Sequence, residues 1–470
     1  MTASKALSNA RWLGIARIGR LAIQFLSVAV LSRLLQPTDF GLLAMAVIVT
    51  NFADLLRDMG TSAALIQRER LSDALIDTVF WTNLGFGFVL ALLVAAGAPL
   101  AAVVFHEPRL LGVLASLAIV FPLSSSGAAH LALMERKGSF RSIAAMELIA
   151  AVGAVSVALL AAWQGLGVYS LVLQTLAGTL IATVLVWILS PLRPRWRWHP
   201  QEFREIWGFS GNLVGFNVIN YLARNADSVL IGRFLGPLDL GWYNMAYRLL
   251  MFPLINLTYV LNRAVLPIYS RQQQDLPRLR QNYLRTLSLI ASVTAPLMAG
   301  LWALREPFIA IFLGQRWLAV ANILIWFAPL GFFQSLLSTT GTIFTACGRT
   351  DLLRNVGLFN TAVVLAAFVI GLKSGLTVLT LFIVMRLLGS DIMAVIKSIW
   401  RQTACGLAMG ALVAIADHSL AAGASDAARL ALLVPSGALL YGALLYLLCR
   451  DLTADVREAV GLSGKNRANC

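Results

Sequence analysis

Apolar residues run along this chain in long blocks separated by short polar breaks, not in alternation. A helix needs about 20 mostly apolar residues to cross the ~30 Å hydrocarbon core of a bilayer. Fourteen spans are predicted on that basis, near 12–35, 40–66, 79–105, 109–133, 142–164, 167–190, 207–232, 238–268, 285–313, 317–346, 355–372, 375–396, 402–420 and 427–449. The first, second, seventh and eighth are less apolar than the others. A membrane β-barrel would instead alternate apolar and polar positions over segments of about ten residues. The predicted class is therefore an all-α polytopic membrane protein.

Composition sharpens this reading. Of 470 residues, 59% are hydrophobic and 13% charged, with a mean hydropathy of +0.78. A soluble chain is about a quarter charged, so a soluble enzyme and a disordered protein are both excluded. The longest polar connection is about 191–206, so no soluble domain is expected between spans. Arg17 and Arg20 interrupt any signal-peptide core, and the start of the chain reads as a span.

The excess of 37 Lys and Arg over 22 Asp and Glu would suggest nucleic acid in a soluble protein. Here its distribution says otherwise. With fourteen spans, 23 of the basic residues fall on the side of the termini and seven on the opposite side. The positive-inside rule then places both termini in the cytoplasm, and no nucleic-acid partner is expected. The Arg195-Trp196-Arg197-Trp198 run reads as an interfacial anchor, with capture of anionic lipid as the alternative. Cys347, Cys405, Cys449 and Cys470 fall at or near the reducing side, so no disulfide is expected. The spacings of His and Cys fit no metal site and imply no cofactor.

Two stretches match without a gap at an offset of 200 residues: Arg33-Leu-Leu-Gln-Pro37-Thr-Asp39-Phe-Gly41 through Met45-Ala46, and Arg233-Phe-Leu-Gly-Pro237-Leu-Asp239-Leu-Gly241 through Met245-Ala246. Each is the outer turn between the first two spans of a half. Pro sets the turn, Asp can cap the next helix and Gly permits close approach. The offset covers an even number of spans, which makes the repeat parallel. The expected organisation is a half at 1–195, a half at 196–400, two further spans at 401–450 and a tail at 451–470.

Seven arginines lie within the spans: Arg17, Arg20, Arg57, Arg224, Arg248, Arg263 and Arg386. Facing lipid at mid-depth, each would cost roughly 2.5–3.5 kcal/mol, so those that cannot snorkel must face protein or water. Asp54, Arg57 and Asp58 share a helix face, as do Arg224 and Asp227. These are read as structural or coupling ion pairs. Arg17, Arg20, Arg248 and Arg263 have no acid one turn away on their own helix. They are the candidate ligands for an anion, and guanidinium forks suit phosphate oxygens. The membrane acids Asp54, Asp58, Glu147, Asp227 and Asp391 could each bind a coupling cation, H+ or Na+, and the pattern selects none. A nucleotide-binding P-loop is absent from the sequence. The GxxxG pairs Gly211/Gly215 and Gly406/Gly410 read as helix-packing contacts.

The blocks Ser32–Leu42, Ala63–Arg68 and Trp81-Thr82-Asn83 resemble polysaccharide flippases of the Wzx type. So does the stretch Ser228–Arg271, with Leu230-Ile231-Gly232-Arg233, Tyr243–Leu249 and Leu266-Pro267. These flippases belong to the multidrug/oligosaccharidyl-lipid/polysaccharide (MOP) exporter superfamily. The resemblance implies two six-helix lobes in a V plus two extra helices, and a cationic central cavity that opens alternately to either side. It implies a substrate of undecaprenyl-diphosphate-linked oligosaccharide for exopolysaccharide or lipopolysaccharide. It also implies a polysaccharide polymerase and a chain-length regulator as partners, alongside membrane lipids. A multidrug exporter of the same superfamily is the alternative, although cationic drugs call for buried carboxylates rather than arginines. A membrane polymerase or ligase would need a sizeable external loop with convergent polar groups. Here the nearest loop is His106-Glu107-Pro108-Arg109, which reads as a capped turn.

Overall fold

The computed structural model describes residues 3–57, 65–66, 68, 71–203, 221, 224–348, 392–420 and 424–448, and among them there is helix and no strand. In chain order the helices are α1 (Ala3–Leu34), α2 (Pro37–Arg57), α3 (Asp73–Phe105), α4 (Leu110–Leu117), α5 (Val120–Arg136), α6 (Phe140–Trp163) and α7 (Val168–Leu189). They continue as α8 (Pro237–Arg271), α9 (Leu276–Ala303), α10 (Arg305–Phe312), α11 (Ala319–Leu337), α12 (Thr340–Ala346), α13 (Ile392–Leu420) and α14 (Asp426–Leu448).

Nine stretches among the described residues are long and apolar enough to cross a membrane. They coincide with the second to sixth, ninth, tenth, thirteenth and fourteenth predicted spans. The first and eighth are present as the continuous helices α1 and α8, whose arginine-bearing sequences are less apolar. The seventh lies largely outside the described residues, the eleventh entirely, and the twelfth is described only from Ile392. On α3, Leu92, Leu93, Leu100 and Val103 are 60–70% exposed. Such an apolar exterior is what a lipid solvent requires and water would penalise.

Local chemistry sets the helix ends. Ser72 caps α3 by accepting from Leu75 N at 3.0 Å. His106 closes α3 at φ 55°, and Arg109 then grips Glu107 through two hydrogen bonds of 2.8 and 3.0 Å. The guanidinium holds the Glu107 carboxyl below its usual range, and the motif is the capped turn expected. At α2, Pro37 takes the first helical position. Asp39, expected as the cap, instead accepts from Gln36 N at 3.0 Å. It is the N3 half of a capping box.

The chain forms two compact units, Met1–Asn244 and Met245–Cys470, divided within α8. In the first, α6 packs along α7 and α1, and α5 packs along α3 and α7. The repeated turns meet inside this unit. A Cβ on Gly41 would lie 1.6 Å from Pro237 O, and one on Gly241 would lie 2.1 Å from Pro37 O. The two copies of the motif therefore touch reciprocally, Gly to Pro, through backbone alone.

In the second unit α9 is central, packing along α13 and α11, with α14 on α13. Gly406 and Gly410 present bare backbone to Ala295 and Ala299 of α9, in agreement with the packing role expected of that GxxxG pair. The pair Gly211/Gly215 lies outside the described residues. Asp417 and Arg429 join α13 to α14 by two hydrogen bonds of 2.8 and 2.6 Å, with side chains 12% and 13% exposed. Removing one partner strands the other charge. Arg429→Ala is expected to lower stability by about 3–5 kcal/mol, read as thermal unfolding in detergent, with partial recovery in the Asp417→Asn/Arg429→Ala double variant.

Candidate functional site

The chemistry of the first unit begins with Arg57, at the last turn of α2. Asp54, one turn earlier, lies 3.2 Å from its Nε, so this expected ion pair is present. Asp58, the third member of the expected face, lies outside the described residues. The Arg57 guanidinium also donates to Ser124 Oγ of α5. Together they border a cavity of about 540 Å³ enclosed by α2, α3, α5, α6 and α7. Asn83, Ser125, Thr179, Thr183 and Glu135 also line it. Thr183 Oγ1 donates to Leu123 O at 3.1 Å. Ser125 Oγ is fully buried with no partner among the described residues. The cavity is lined by both polar and apolar side chains. Its size follows from the small residues Gly127, Ala128, Gly178 and Ala182 in its walls. Spacing on one helix pointed to Asp54 with Arg57. The hydroxyls facing them from another helix carry no signal in the sequence.

The four candidate anion ligands divide. Arg20 was expected to stand without an acid and does not. Its NH1 lies 3.2 Å from Glu147 Oε2, which joins α1 to α6. The two residues are 127 positions apart, which is why spacing on one helix missed the partner. Arg17, one turn away on α1, is half-buried. Arg248 on α8 is exposed, beside the buried Leu249 and Leu250, and makes no ion pair among the described residues. Arg263 is also on α8, and its side chain lies outside the described residues.

The expected Arg224–Asp227 pair is corrected. Asp227 accepts from Tyr243 Oη at 2.5 Å and from Ser228 N at 2.7 Å. Arg224 is exposed, and no ion pair to it is found among the described residues. A tyrosine sixteen positions away won because α8 brings its hydroxyl to the carboxylate.

The Arg-Trp run is built into the first unit. Trp81 Nε1 donates to Arg195 O at 2.8 Å, Arg195 N to Asp77 Oδ1 at 3.0 Å, and His199 N to Thr78 Oγ1 at 3.1 Å. Trp198 Nε1 donates to Thr82 Oγ1 at 3.2 Å. The segment is thus strapped along one face of α3, with Trp196 left 85% exposed.

Two solved structures share this fold. One is the lipid II flippase MurJ in an inward closed conformation, with TM-score 0.69 and 16% identity, covering 95% of this chain and all of that one. The other is an inward-facing multidrug resistance MATE family transporter of the MOP superfamily, with TM-score 0.55 and 16% identity, covering 84% of this chain and 95% of that one. Residues 30–322 match the family described as Polysaccharide biosynthesis protein, and the chain belongs to that family. The lipopolysaccharide biosynthesis protein WzxC of Escherichia coli (strain K12) is 26% identical over 369 residues, 78% of this chain and 75% of that protein. The protein is thus a multi-pass bacterial membrane protein of the Wzx type, a transporter of polysaccharide biosynthesis and not an enzyme.

Proposed function

We propose that the protein is a flippase that moves oligosaccharide repeat units linked to undecaprenyl diphosphate from the cytoplasmic to the outer leaflet. The step supplies exopolysaccharide or O-antigen assembly and proceeds by alternating access. Arg248 carries the reading. It is an exposed guanidinium on a helix at a predicted span, with no ion pair among the described residues. Water or an anion is the neighbour that such a group needs, and a diphosphate fits a guanidinium fork. Arg17 in the first half and Arg263 on α8 are the other arginines to which the sequence assigns this role. Arg20, neutralised by Glu147, becomes a positioning residue for α1. WzxC is by name a lipopolysaccharide biosynthesis protein, and MurJ by name a flippase for lipid II.

In this reading the halves are 1–195 and 196–400, both termini are cytoplasmic, and no covalent step occurs. Translocation needs only a difference in affinity between two states of the protein, with H+ or Na+ as the coupling ion where one is used. A polymerase and a chain-length regulator take the product.

Deletion tests this against drug export. Loss of surface polymer with build-up of its lipid-linked unit is expected. Intact polymer with new drug sensitivity would replace the proposal with the multidrug alternative.

A further inference from the structure

The end of the first unit where α3 begins and α5 ends holds a second cavity, of about 390 Å³. Its walls are aliphatic: Leu71 and Ile76 at the start of α3, Leu133 on α5, and Pro191 and Leu192 after α7. Its polar edge is cationic, formed by Arg136 and Lys137 at the end of α5. Arg136 NH1 donates to the carbonyls of Leu65, Ile66 and Arg68, which pins that segment beside the cavity. Lys137 is exposed.

The strap that follows Leu192 adds Arg193, Arg195 and Arg197, all exposed, and the exposed indoles of Trp196 and Trp198. The acids packed against the strap are already engaged. Glu202 lies 3.2 Å from Arg68 and accepts from Ser72 at 3.3 Å, and Asp77 accepts from Arg195 N. Glu135, next to Arg136, belongs to the larger cavity. Counted with Arg68 and the exposed Asp73, six basic residues (Arg68, Arg136, Lys137, Arg193, Arg195 and Arg197) stand here against four acids (Asp73, Asp77, Glu135 and Glu202), so the edge keeps an excess of positive charge.

We propose that this cavity is a binding site for an anionic glycerophospholipid of the surrounding bilayer. Three features converge on that ligand. Aliphatic walls accept an acyl chain. Lys137 and the strap arginines hold the headgroup phosphate by charge complementarity. Indoles beside them sit at headgroup level. The site uses neither Arg17 nor Arg248, so it stands whether or not those residues hold a diphosphate. The bound lipid wedges between the first turn of α3 and the last turn of α5, and ties the strap to both.

The test is native mass spectrometry of the full chain in detergent, titrated with phosphatidylglycerol or with phosphatidylcholine of the same acyl chains. Phosphatidylglycerol is expected to stay bound at roughly tenfold lower concentration. Lys137→Glu is expected to weaken its retention by about fivefold or more, the share of one basic residue at a lipid surface. Leu133→Trp fills the apolar part and is expected to reduce retention without changing charge. Lys137→Gln serves if either variant fails to fold. Equal retention of the two lipids overturns the proposal. So does wild-type retention in these variants, or occupancy by undecaprenyl phosphate in preference to phosphatidylglycerol.

Discussion

Gly41→Ala is expected to destabilise the protein by about 3 kcal/mol or more, beyond the usual 1–3 kcal/mol of an overpacked core. The added carbon would meet Pro237 O at 1.6 Å, Pro237 C at 2.6 Å and Gly241 N at 2.9 Å. All three are backbone atoms, so no rotamer change relieves the clash and the two repeated turns must part. Gly241→Ala meets Pro37 O at 2.1 Å and is expected to behave the same way. Gly97 in α3 is the control, because nothing lies within 4 Å of a Cβ placed there. At that site alanine gains up to about 1 kcal/mol of helix propensity. Thermal unfolding in detergent ranks the three. Parity between Gly41→Ala and Gly97→Ala would mean that the repeated turns do not touch as described.

Arg248→Ala is expected to abolish polymer export while the protein still inserts at normal level. The side chain is exposed and takes part in no described ion pair, so truncation leaves no stranded partner and folding should survive. On the proposed reading, what is lost is a charged fork for the diphosphate. Arg248→Lys is expected to retain part of the export, because a point charge remains but the planar two-pronged contact does not. Arg17→Ala is expected to lose export as well. Arg20→Ala should differ, losing stability more than export, because it leaves Glu147 without its partner. Surface polymer per molecule of inserted protein separates these cases. Full export from both Arg17→Ala and Arg248→Ala would remove the anion-binding role.

The helices were legible because a span is a local property. Twenty apolar residues declare themselves whatever they pack against, and among the described residues nine of the predicted spans recur as helices of sufficient length and hydropathy. The repeat was legible because Arg, Pro, Asp, Gly, Met and Ala recur at one offset. The reciprocal contact of Gly41 and Gly241 shows why glycine stands there in both copies. Pairing between helices was not legible. Asp54 and Arg57 are one turn apart and could be read directly, but Arg20 with Glu147, Asp227 with Tyr243, and Asp417 with Arg429 depend on which helix lies beside which. The polar cavity beside Arg57 was hidden for the same reason. Its hydroxyls come from α5 and α7, and a serine or threonine in an apolar helix looks alike whether it faces a neighbour or a cavity.

The central claim is that the protein carries a lipid-linked sugar across the bilayer, and the leaflet in which that intermediate collects tests it most directly. In spheroplasts of a deletion strain, an added membrane-impermeant glycosidase reaches only outward-facing sugar. The account predicts that the accumulated lipid-linked oligosaccharide is protected from the enzyme until the membrane is broken, and that wild-type protein, but not Arg248→Ala, restores its exposure. Digestion of the accumulated intermediate in intact deletion spheroplasts would contradict it.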